Sequence, residues 1–230
     1  IANRCFIPRS HVIDNPDTDS IYNVPLVLEE AHLANLILEK FNVKSPPPDL
    51  EHWHTFTTNL KSAAKTVNIG LIGKYIMSGS TAHNDVYVSV VEAIKHATGH
   101  LKVKPNIIPV NSEEIEQKGV SILDDLNLDG MILPQGWGDR GTEGKILAAN
   151  YAREKLLPYL GLCFGMQLAT ISYARFVANL KDANSEEINP QTTHPVIHLM
   201  PDQKEYLAKS QYGGTIRLGQ WPCLLKTSSL

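Results

Sequence analysis

The chain has 230 residues, of which 43% are hydrophobic and 20% are charged, and its formal net charge at pH 7 is -3. This composition is typical of a globular protein, and the slight negative charge favours neither nucleic acid nor an anionic membrane as a partner. No apolar run approaches the roughly 18 residues that a membrane-spanning helix requires, so we expect no membrane insertion.

Short elements are predicted ahead of the main sheet. A turn-forming run at 15–20 ends in Asp19 and Ser20, either of which can cap the element that follows. Apolar residues at helical spacing then predict one amphipathic helix over 25–41. Three prolines at 46–48 cannot continue a helix, so we expect an extended linker, followed by a short helix over about 53–65.

From Val67 onward, strand and helix patterns alternate. Strands are predicted at 67–73, 106–110, 129–134 and 158–162. Helices are predicted at 85–97, 112–123 (with Ser112 as its cap), 143–156 and 166–180. This alternation predicts an α/β fold with an open, mainly parallel sheet and helices on both faces. In such sheets ligands bind at the carboxyl ends of the strands.

A cysteine follows the last of these strands, in the pattern Gly161-x-Cys163-x-Gly165. The pattern matches the G-x-S-x-G turn that exposes a nucleophile between a strand and a helix, with cysteine in place of serine. The helix N-terminus favours a thiolate, and the N–H of Phe164 can help hold an oxyanion. A buried structural cysteine explains the same residues, so spacing alone leaves both interpretations open.

The other two cysteines, Cys5 and Cys223, form no CxxC pair with each other or with Cys163. The three therefore indicate reduced thiols of a cytoplasmic protein, and neither a disulfide frame nor a metal site is predicted.

A second glycine-rich loop, PQGWGDRG at 134–141, follows the preceding strand and is expected at the same sheet edge as Cys163. The loop at 70–85 lacks the spacing of a phosphate-binding loop, so no phosphate site is predicted there. Two histidines downstream, His194 and His198, have no carboxylate at an obvious supporting position. We expect them to be exposed or packing residues.

The segment GLCFGMQ at 161–167 resembles the nucleophile segment of class I glutamine amidotransferases. Further segments narrow the likeness to the glutamine-hydrolysing CTP synthases: ILPQGWGDRGTEGKI (132–146), DANSEE (182–187) and GGTIRLGQWPCLL (213–225). The similarity covers nearly all 230 residues, including the start of the chain up to Pro25.

This resemblance implies three parts: the end of an amidoligase domain at 1–45, a linker at 46–66, and a C-terminally incomplete class I glutamine amidotransferase domain at 67–230. Members of the family are ligases of pyrimidine biosynthesis. They take ammonia from glutamine and use ATP with Mg²⁺ to aminate UTP to CTP. The resemblance also implies GTP as an allosteric activator and a homotetramer.

The resemblance assigns site residues by motif. Cys163 is the expected nucleophile, and the backbones of Gly136 and Phe164 form the expected oxyanion hole. The residues expected to bind glutamine are Gly136, Phe164, Gly165, Met166, Gln167 and Glu187, the last through the substrate's α-amino group. Asp17 and Thr18 fall where the family contacts the ATP adenine. No metal ligand is expected, since the magnesium carboxylates and the phosphate-binding loop of the family would precede Ile1.

Departures from the family pattern set further expectations. Gln135 replaces a glycine, and if that position needs a positive φ it is strained by about 1–3 kcal/mol. Glu186 replaces a threonine and adds charge beside Glu187. The family's catalytic histidine and glutamate would follow Leu230, so we expect this segment alone to be inactive. Two alternatives stay open: a non-catalytic amidotransferase-like binding or assembly module, and another cysteine hydrolase on a similar sheet.

Overall fold

The computed structural model describes residues 1–74, 86–136, 138–201 and 205. In chain order, the α-helices of these residues are α1 (Ala2–Cys5), α2 (Val24–Glu30), α3 (Leu33–Lys40), α4 (Glu51–Ser62), α5 (Val88–Leu101), α6 (Ser112–Lys118), α7 (Thr142–Glu154) and α8 (Phe164–Phe176). The strands are β1 (Lys65–Gly73), β2 (Val103–Asn111), β3 (Gly130–Leu133), β4 (Tyr159–Gly161), β5 (Asn184–Ser185) and β6 (Pro195–Ile197).

The described residues fall into two compact units. The first takes 1–70, 86–108 and 126–129, and the second takes 71–74, 109–125, 130–136, 138–201 and 205. An aromatic cluster lies in the first unit, where the indole N–H of Trp53 donates to the Tyr22 carbonyl at 2.7 Å and the Phe56 ring stands edge-on to Tyr22. Helices α4 and α5 meet closely there, since a Cβ on Gly99 would lie 2.5 Å from the Phe56 ring.

The second unit contains the candidate site. The carboxyl ends of β1 and β2 join β3 and β4 in a sheet of order β2-β1-β3-β4. Strands β3 and β4 are parallel, with Leu133 opposite Gly161. An apolar core of Ile146, Phe164, Leu168 and Ile171 lies between α7 and α8. The predicted α/β fold with a parallel sheet flanked by helices is therefore confirmed.

The four predicted strands are confirmed as β1 to β4; the carboxyl end of β1 and most of β3 are buried, whereas β2 and β4 are more exposed. The single helix predicted over 25–41 is wrong. His32 adopts a left-handed conformation with φ 58°, so the chain forms α2 and α3 instead. The hydrogen bond from the His32 N–H to the Glu29 carbonyl closes the first helix before the second begins.

The predicted cap of the helix over 112–123 is also wrong. The Asn111 side chain, not Ser112, accepts the N–H of Glu113 at 3.0 Å, and Ser112 is buried in the first turn. The helix ends at Lys118, because Gly119 turns the chain with φ 84°, and 120–126 continue as a 3₁₀ helix. The Ser20 cap is confirmed by the bond that its hydroxyl accepts from the Tyr22 N–H. None of the described helices has the length and apolar character needed to cross a membrane.

Candidate active site

Cys163 occupies the turn between β4 and α8, where it is the N-cap residue of the helix. Its backbone has φ 53° and ψ -109°, a conformation that side chains disfavour and that costs about 1–3 kcal/mol. The residue is exposed, unlike a structural core cysteine. The nucleophile interpretation of the G-x-C-x-G pattern is therefore the one that fits the observed geometry.

The two flanking glycines, Gly161 and Gly165, let neighbouring backbone segments approach closely. Neither of them has a positive φ. A Cβ on Gly165 would lie 1.9 Å from the backbone oxygen of Leu133, and a Cβ on Gly161 would lie 2.6 Å from the Met166 nitrogen. Neither distance is compatible with a side chain. The glycines thus let the first turn of α8 sit directly on the end of β3 and expose Cys163 at the sheet edge.

The glycine-rich loop after β3 is held at both ends by lysines. The Lys145 ammonium donates to the Pro134 carbonyl at 2.9 Å, and the Lys74 ammonium donates to the Gly138 carbonyl at 3.0 Å. Gly136 lies between them, and a Cβ there would come within 3.1 Å of the Lys74 side chain. A side chain at 136 would therefore require the Lys74 side chain to shift by a few tenths of an ångström. Trp137 lies outside the described residues.

The strain expected at Gln135 is absent. Gln135 is not among the described residues with a positive φ, whereas Gly138 has φ 76°. The loop therefore takes its left-handed turn at a glycine, and Gln135 replaces the family's glycine without the expected cost.

Two backbone N–H groups expected to bind an oxyanion are available. Neither the N–H of Gly136 nor that of Phe164 donates to any acceptor within the described ranges. The next N–H groups of α8 are used, since Gly165 donates to Leu162 at 2.9 Å and Met166 to Cys163 at 3.1 Å. A donor without an acceptor next to an exposed thiol, such as the Phe164 N–H, can bind a developing negative charge.

The other residues assigned to a glutamine site differ in exposure. Met166 is half exposed and Gln167 is partly buried, so both side chains can meet a ligand. The Phe164 side chain is buried in the core with Leu168, and Gly165 is buried as well. Only the backbones of these two residues can contribute to a site.

The two acidic residues after β5 point to different partners. Burial, followed by the charge of Arg140, lowers the pKa of Lys74 below its usual value, and the carboxylates of Asp139 and of the exposed Glu187 oppose this shift by charge attraction. Glu186 accepts the Leu199 N–H at 2.8 Å, so its added charge is directed towards the chain after β6.

The histidines have carboxylate partners that the sequence did not indicate. His194 hydrogen-bonds Asp182, and His198 lies 3.6 Å from Glu186. The expectation of no supporting carboxylate is therefore wrong, although both histidines are exposed as expected. No histidine in 1–74, 86–136 or 138–201 is hydrogen-bonded to Cys163.

Lys145 was missed at the sequence level because lysine is rarely buried. Its side chain is 0% exposed, and it shares the buried face of α7 with Ala148, Ala149 and Ala152. That spacing of three, four and seven residues is the signal that could have placed it on the inner face.

The residues assigned to ATP belong to the first compact unit. Asp17 is exposed, and the Thr18 hydroxyl donates to the Ser20 carbonyl at 2.8 Å. Their adenine contact stays a prediction.

Comparison with known proteins connects this site to a family. Residues 82–216 match the family described as glutamine amidotransferase class-I. The chain is 46% identical over 212 residues to the CTP synthase of Chloroflexus aurantiacus, covering 92% of this chain and 37% of that protein. It is 43% identical over 239 residues to the CTP synthase of Buchnera aphidicola, covering 100% of this chain and 42% of that protein.

A solved structure is similar as well. The chain matches the glutaminase domain of Trypanosoma brucei CTPS with bound acivicin at a TM-score of 0.53 and 38% identity, covering 59% of this chain and 51% of that one. The chain thus spans about two fifths of the length of the CTP synthases cited above. Because the family match extends over more than half of its residues, the chain belongs to the class-I glutamine amidotransferases.

Proposed function

We propose that this chain supplies the glutamine-hydrolysing part of a CTP synthase, with Cys163 as the nucleophile. The observation that carries the proposal is the exposed thiol on a strained strand-to-helix turn, next to the Phe164 N–H, which has no acceptor in the described chain. The similarity to CTP synthases along 92% or more of the chain supports glutamine as the substrate and a CTP synthase as the parent enzyme.

The proposed reaction begins when the Cys163 thiolate attacks the carboxamide carbon of glutamine. The N–H groups of Gly136 and Phe164 hold the oxyanion of the tetrahedral intermediate, a type of interaction worth about 2.7–4 kcal/mol per donor. Loss of ammonia, after proton transfer to the nitrogen, leaves a glutamyl thioester on Cys163. Water then hydrolyses the thioester and releases glutamate.

Glutamine binding is proposed for the same sheet edge. Met166 and Gln167 lie on the first turn of α8 beside the nucleophile, where their side chains are accessible. The exposed Glu187 carboxylate suits the substrate's α-ammonium group, because a charged ligand group needs a partner when it leaves water.

The wider activity belongs to the parent enzyme. There, the ammonia would aminate UTP that ATP has phosphorylated, with GTP as activator, in a cytoplasmic homotetramer. Asp17 and Thr18 are proposed to contact the ATP adenine. In the described part of the chain, no three His, Cys, Asp or Glu side chains come together as a metal site, so we assign the Mg²⁺ ligands to no described residue.

The proposal is tested with acivicin as an electrophilic glutamine analogue. We expect acivicin to modify Cys163 selectively at neutral pH, with the exposed Cys5 unmodified and protection by excess glutamine. Peptide mass spectrometry identifies the modified thiol, and Cys163→Ser provides the control. Equal modification of Cys5 and Cys163, or no protection by glutamine, would contradict the proposed site.

The same experiment tests the non-catalytic binding module. Its supporting observation is that no described histidine is hydrogen-bonded to Cys163. A module of this kind would leave Cys163 inert to acivicin. A labelled thiol without glutamine turnover would instead indicate a reactive thiol to which no residue of the tested chain supplies a base.

A further inference from the structure

Two consecutive carboxylates, Glu186 and Glu187, follow the short strand β5 and lie in different surroundings. The Glu187 side chain is exposed. Glu186 instead accepts the N–H of Leu199 at 2.8 Å, and its other carboxylate oxygen lies 3.6 Å from Nδ1 of His198. One carboxylate of the pair is therefore engaged with the protein's own chain, whereas the other is accessible to a ligand.

The backbone of the pair is held by β6 and by a buried side chain. The N–H of Glu186 donates to the Ile197 carbonyl at 2.9 Å, next to the pairing of β5 with β6. The N–H of Glu187 donates to the hydroxyl of Ser185, which is 2% exposed, at 3.2 Å. Leu199 follows the end of β6 by two residues, so the Glu186 carboxylate extends the contact between the two segments beyond the strands.

A further carboxylate closes the base of the same turn. Asp182 accepts the N–H of Thr193 at 2.9 Å, and it also binds the Thr193 hydroxyl and the ring of His194. The turn that contains both glutamates is thus tied at its base by Asp182 and at its exit by Glu186. Its conformation is set by side chains of the turn itself.

This turn packs beside the nucleophile. Ile188, the residue after Glu187, packs against the core cluster that contains Phe164, and Ile197 of β6 packs against the same cluster. Phe164 directly follows Cys163 and begins α8. The contacts that place the turn therefore place it relative to the start of the nucleophile helix.

We propose that Glu186 is a positioning residue for substrate selection: its bond to the Leu199 N–H fixes the turn so that Glu187, and not Glu186, meets the α-ammonium group of glutamine. A released Glu186 carboxylate would carry the same charge and would compete for that group. The inference rests on the proposed function, in which Glu187 binds the α-ammonium group. It gives a role to a residue at which the sequence departs from the family pattern.

The test measures ligand binding as protection of Cys163 from iodoacetamide, which has no likeness to glutamine. One ligand is glutamine. The other is glutaramate, which keeps the carboxamide and the carboxylate of glutamine but lacks its α-ammonium group. Peptide mass spectrometry follows the alkylation, with the exposed Cys5 as the internal reference thiol. The readout is the ligand concentration that halves the alkylation rate of Cys163.

Four variants of the full chain separate the two glutamates. Glu186→Ala removes the acceptor of the Leu199 bond, whereas Glu186→Gln retains an oxygen that can accept it. Glu187→Gln removes the charge proposed to bind the ligand. Glu39→Ala, at an exposed position on α3, is the control.

We expect Glu186→Ala and Glu187→Gln each to raise the half-protecting concentration of glutamine about tenfold, and that of glutaramate by less than about twofold. The double variant Glu186→Ala with Glu187→Gln should be no weaker than Glu187→Gln alone, because the first residue acts through the second. Glu186→Gln and the control should bind both ligands like the unsubstituted chain. Without ligand, all variants should alkylate Cys163 at the same rate.

Each other outcome has a definite meaning. Additive losses in the double variant, or equal weakening of both ligands by Glu186→Ala, would overturn the positioning role. If glutamine protects Cys163 in the unsubstituted chain and Glu186→Ala leaves this unchanged, the inference fails while the proposed function stands. If glutamine gives no protection in the unsubstituted chain, the proposed function fails and the inference with it.

A measurement on the unsubstituted glutamate covers the case in which Glu186→Ala does not fold. NMR of the chain with ¹⁵N-labelled leucine follows hydrogen exchange of the Leu199 N–H. Glutamine should slow this exchange, because binding at Glu187 stabilises the arrangement in which Glu186 accepts the bond. Glutaramate should not slow it. Equal exchange rates with and without glutamine would overturn the inference.

Discussion

The Tyr159 hydroxyl donates a hydrogen bond of 2.8 Å to the carbonyl of Gly165. This bond ties the start of β4 to the first turn of α8 and so encloses the turn that carries Cys163. Burial raises the pKa of Tyr159 well above its usual range, so the hydroxyl remains a donor at every pH at which the fold is studied.

Replacing Tyr159 with phenylalanine removes this bond and leaves the Gly165 carbonyl without that donor. We expect the free energy of unfolding to fall by about 1–2 kcal/mol, as measured by urea denaturation. Tyr173→Phe is the control, because Tyr173 is 59% exposed on the same helix and should change the stability little. Equal effects of the two substitutions would contradict the role of the Tyr159 bond.

Gly165→Ala should be among the most damaging single substitutions in the chain. The new methyl group would collide with the backbone oxygen of Leu133 at 1.9 Å, and a strand backbone cannot move aside as a side chain can. We expect a loss of about 3 kcal/mol or more in the free energy of unfolding.

Gly119→Ala provides the matched comparison for that substitution. A Cβ there would meet nothing within 4 Å, but the residue has φ 84°. The cost should therefore be conformational only, about 1–3 kcal/mol, because φ 84° with ψ 173° is a backbone conformation that is essentially restricted to glycine. If urea denaturation gave the two alanine variants the same stability, close approach would not explain the glycine at 165.

Lys145 predicts an unusual dependence of stability on pH. Its pKa is about 8 in the folded chain against 10.5 as the reference for the unfolded chain. Below pH 8 both states hold the proton and the cost of burying the charge is fully present. Between pH 8 and 10.5 the unfolded chain holds more protons, so stability should rise with pH. Since one pH unit corresponds to about 1.4 kcal/mol, the total gain is about 3 kcal/mol.

The gain is measured as the difference in unfolding free energy between the unsubstituted chain and Lys145→Met at pH 7, 8, 9 and 10. Other titrating groups cancel in this difference. The same comparison with Lys181→Met should be flat across the range, since that lysine is exposed. A flat difference for Lys145 as well would mean that its ammonium keeps an ordinary pKa in the fold.

Asp182 predicts the opposite pH dependence. Hydrogen bonds from the Thr193 side chain, from His194 and from the Thr193 N–H lower the pKa of this carboxyl below its usual 3.8. Its contribution to stability is thus present above pH 4 and is lost as the pH falls through the lowered folded pKa. We expect Asp182→Asn to lower the melting temperature at pH 7, and the gap to the unsubstituted chain to narrow at pH 3. Asp14→Asn, at an exposed position, should produce no such gap.

Much of the fold follows from patterns in the sequence, because the strands between 67 and 162 are short runs rich in apolar and β-branched residues that alternate with helical patterns. The Cys163 turn was predictable for a similar reason, since glycines two residues on either side are needed where α8 meets β3. The break between α2 and α3 was not predictable, because a histidine in a left-handed conformation has no marked sequence signal.

The electrostatics of the site depend on long-range packing. Lys74 and Lys145 are 71 positions apart in the sequence, yet their ammonium groups hold the two ends of one five-residue loop. The spacing of Lys145 on α7 indicates a buried face, but only the packed chain shows which carbonyl its ammonium binds.

The backbone of Cys163 has a consequence for selection on this chain. Its φ of 53° and ψ of -109° are close to the first central position of a type II′ turn, where glycine is preferred. A chain selected for stability alone would therefore place glycine at 163 and lose its thiol. The cysteine persists at the expense of folding free energy, so the framework of β3, β4 and α8 must be stable enough to tolerate the residue that makes the turn reactive.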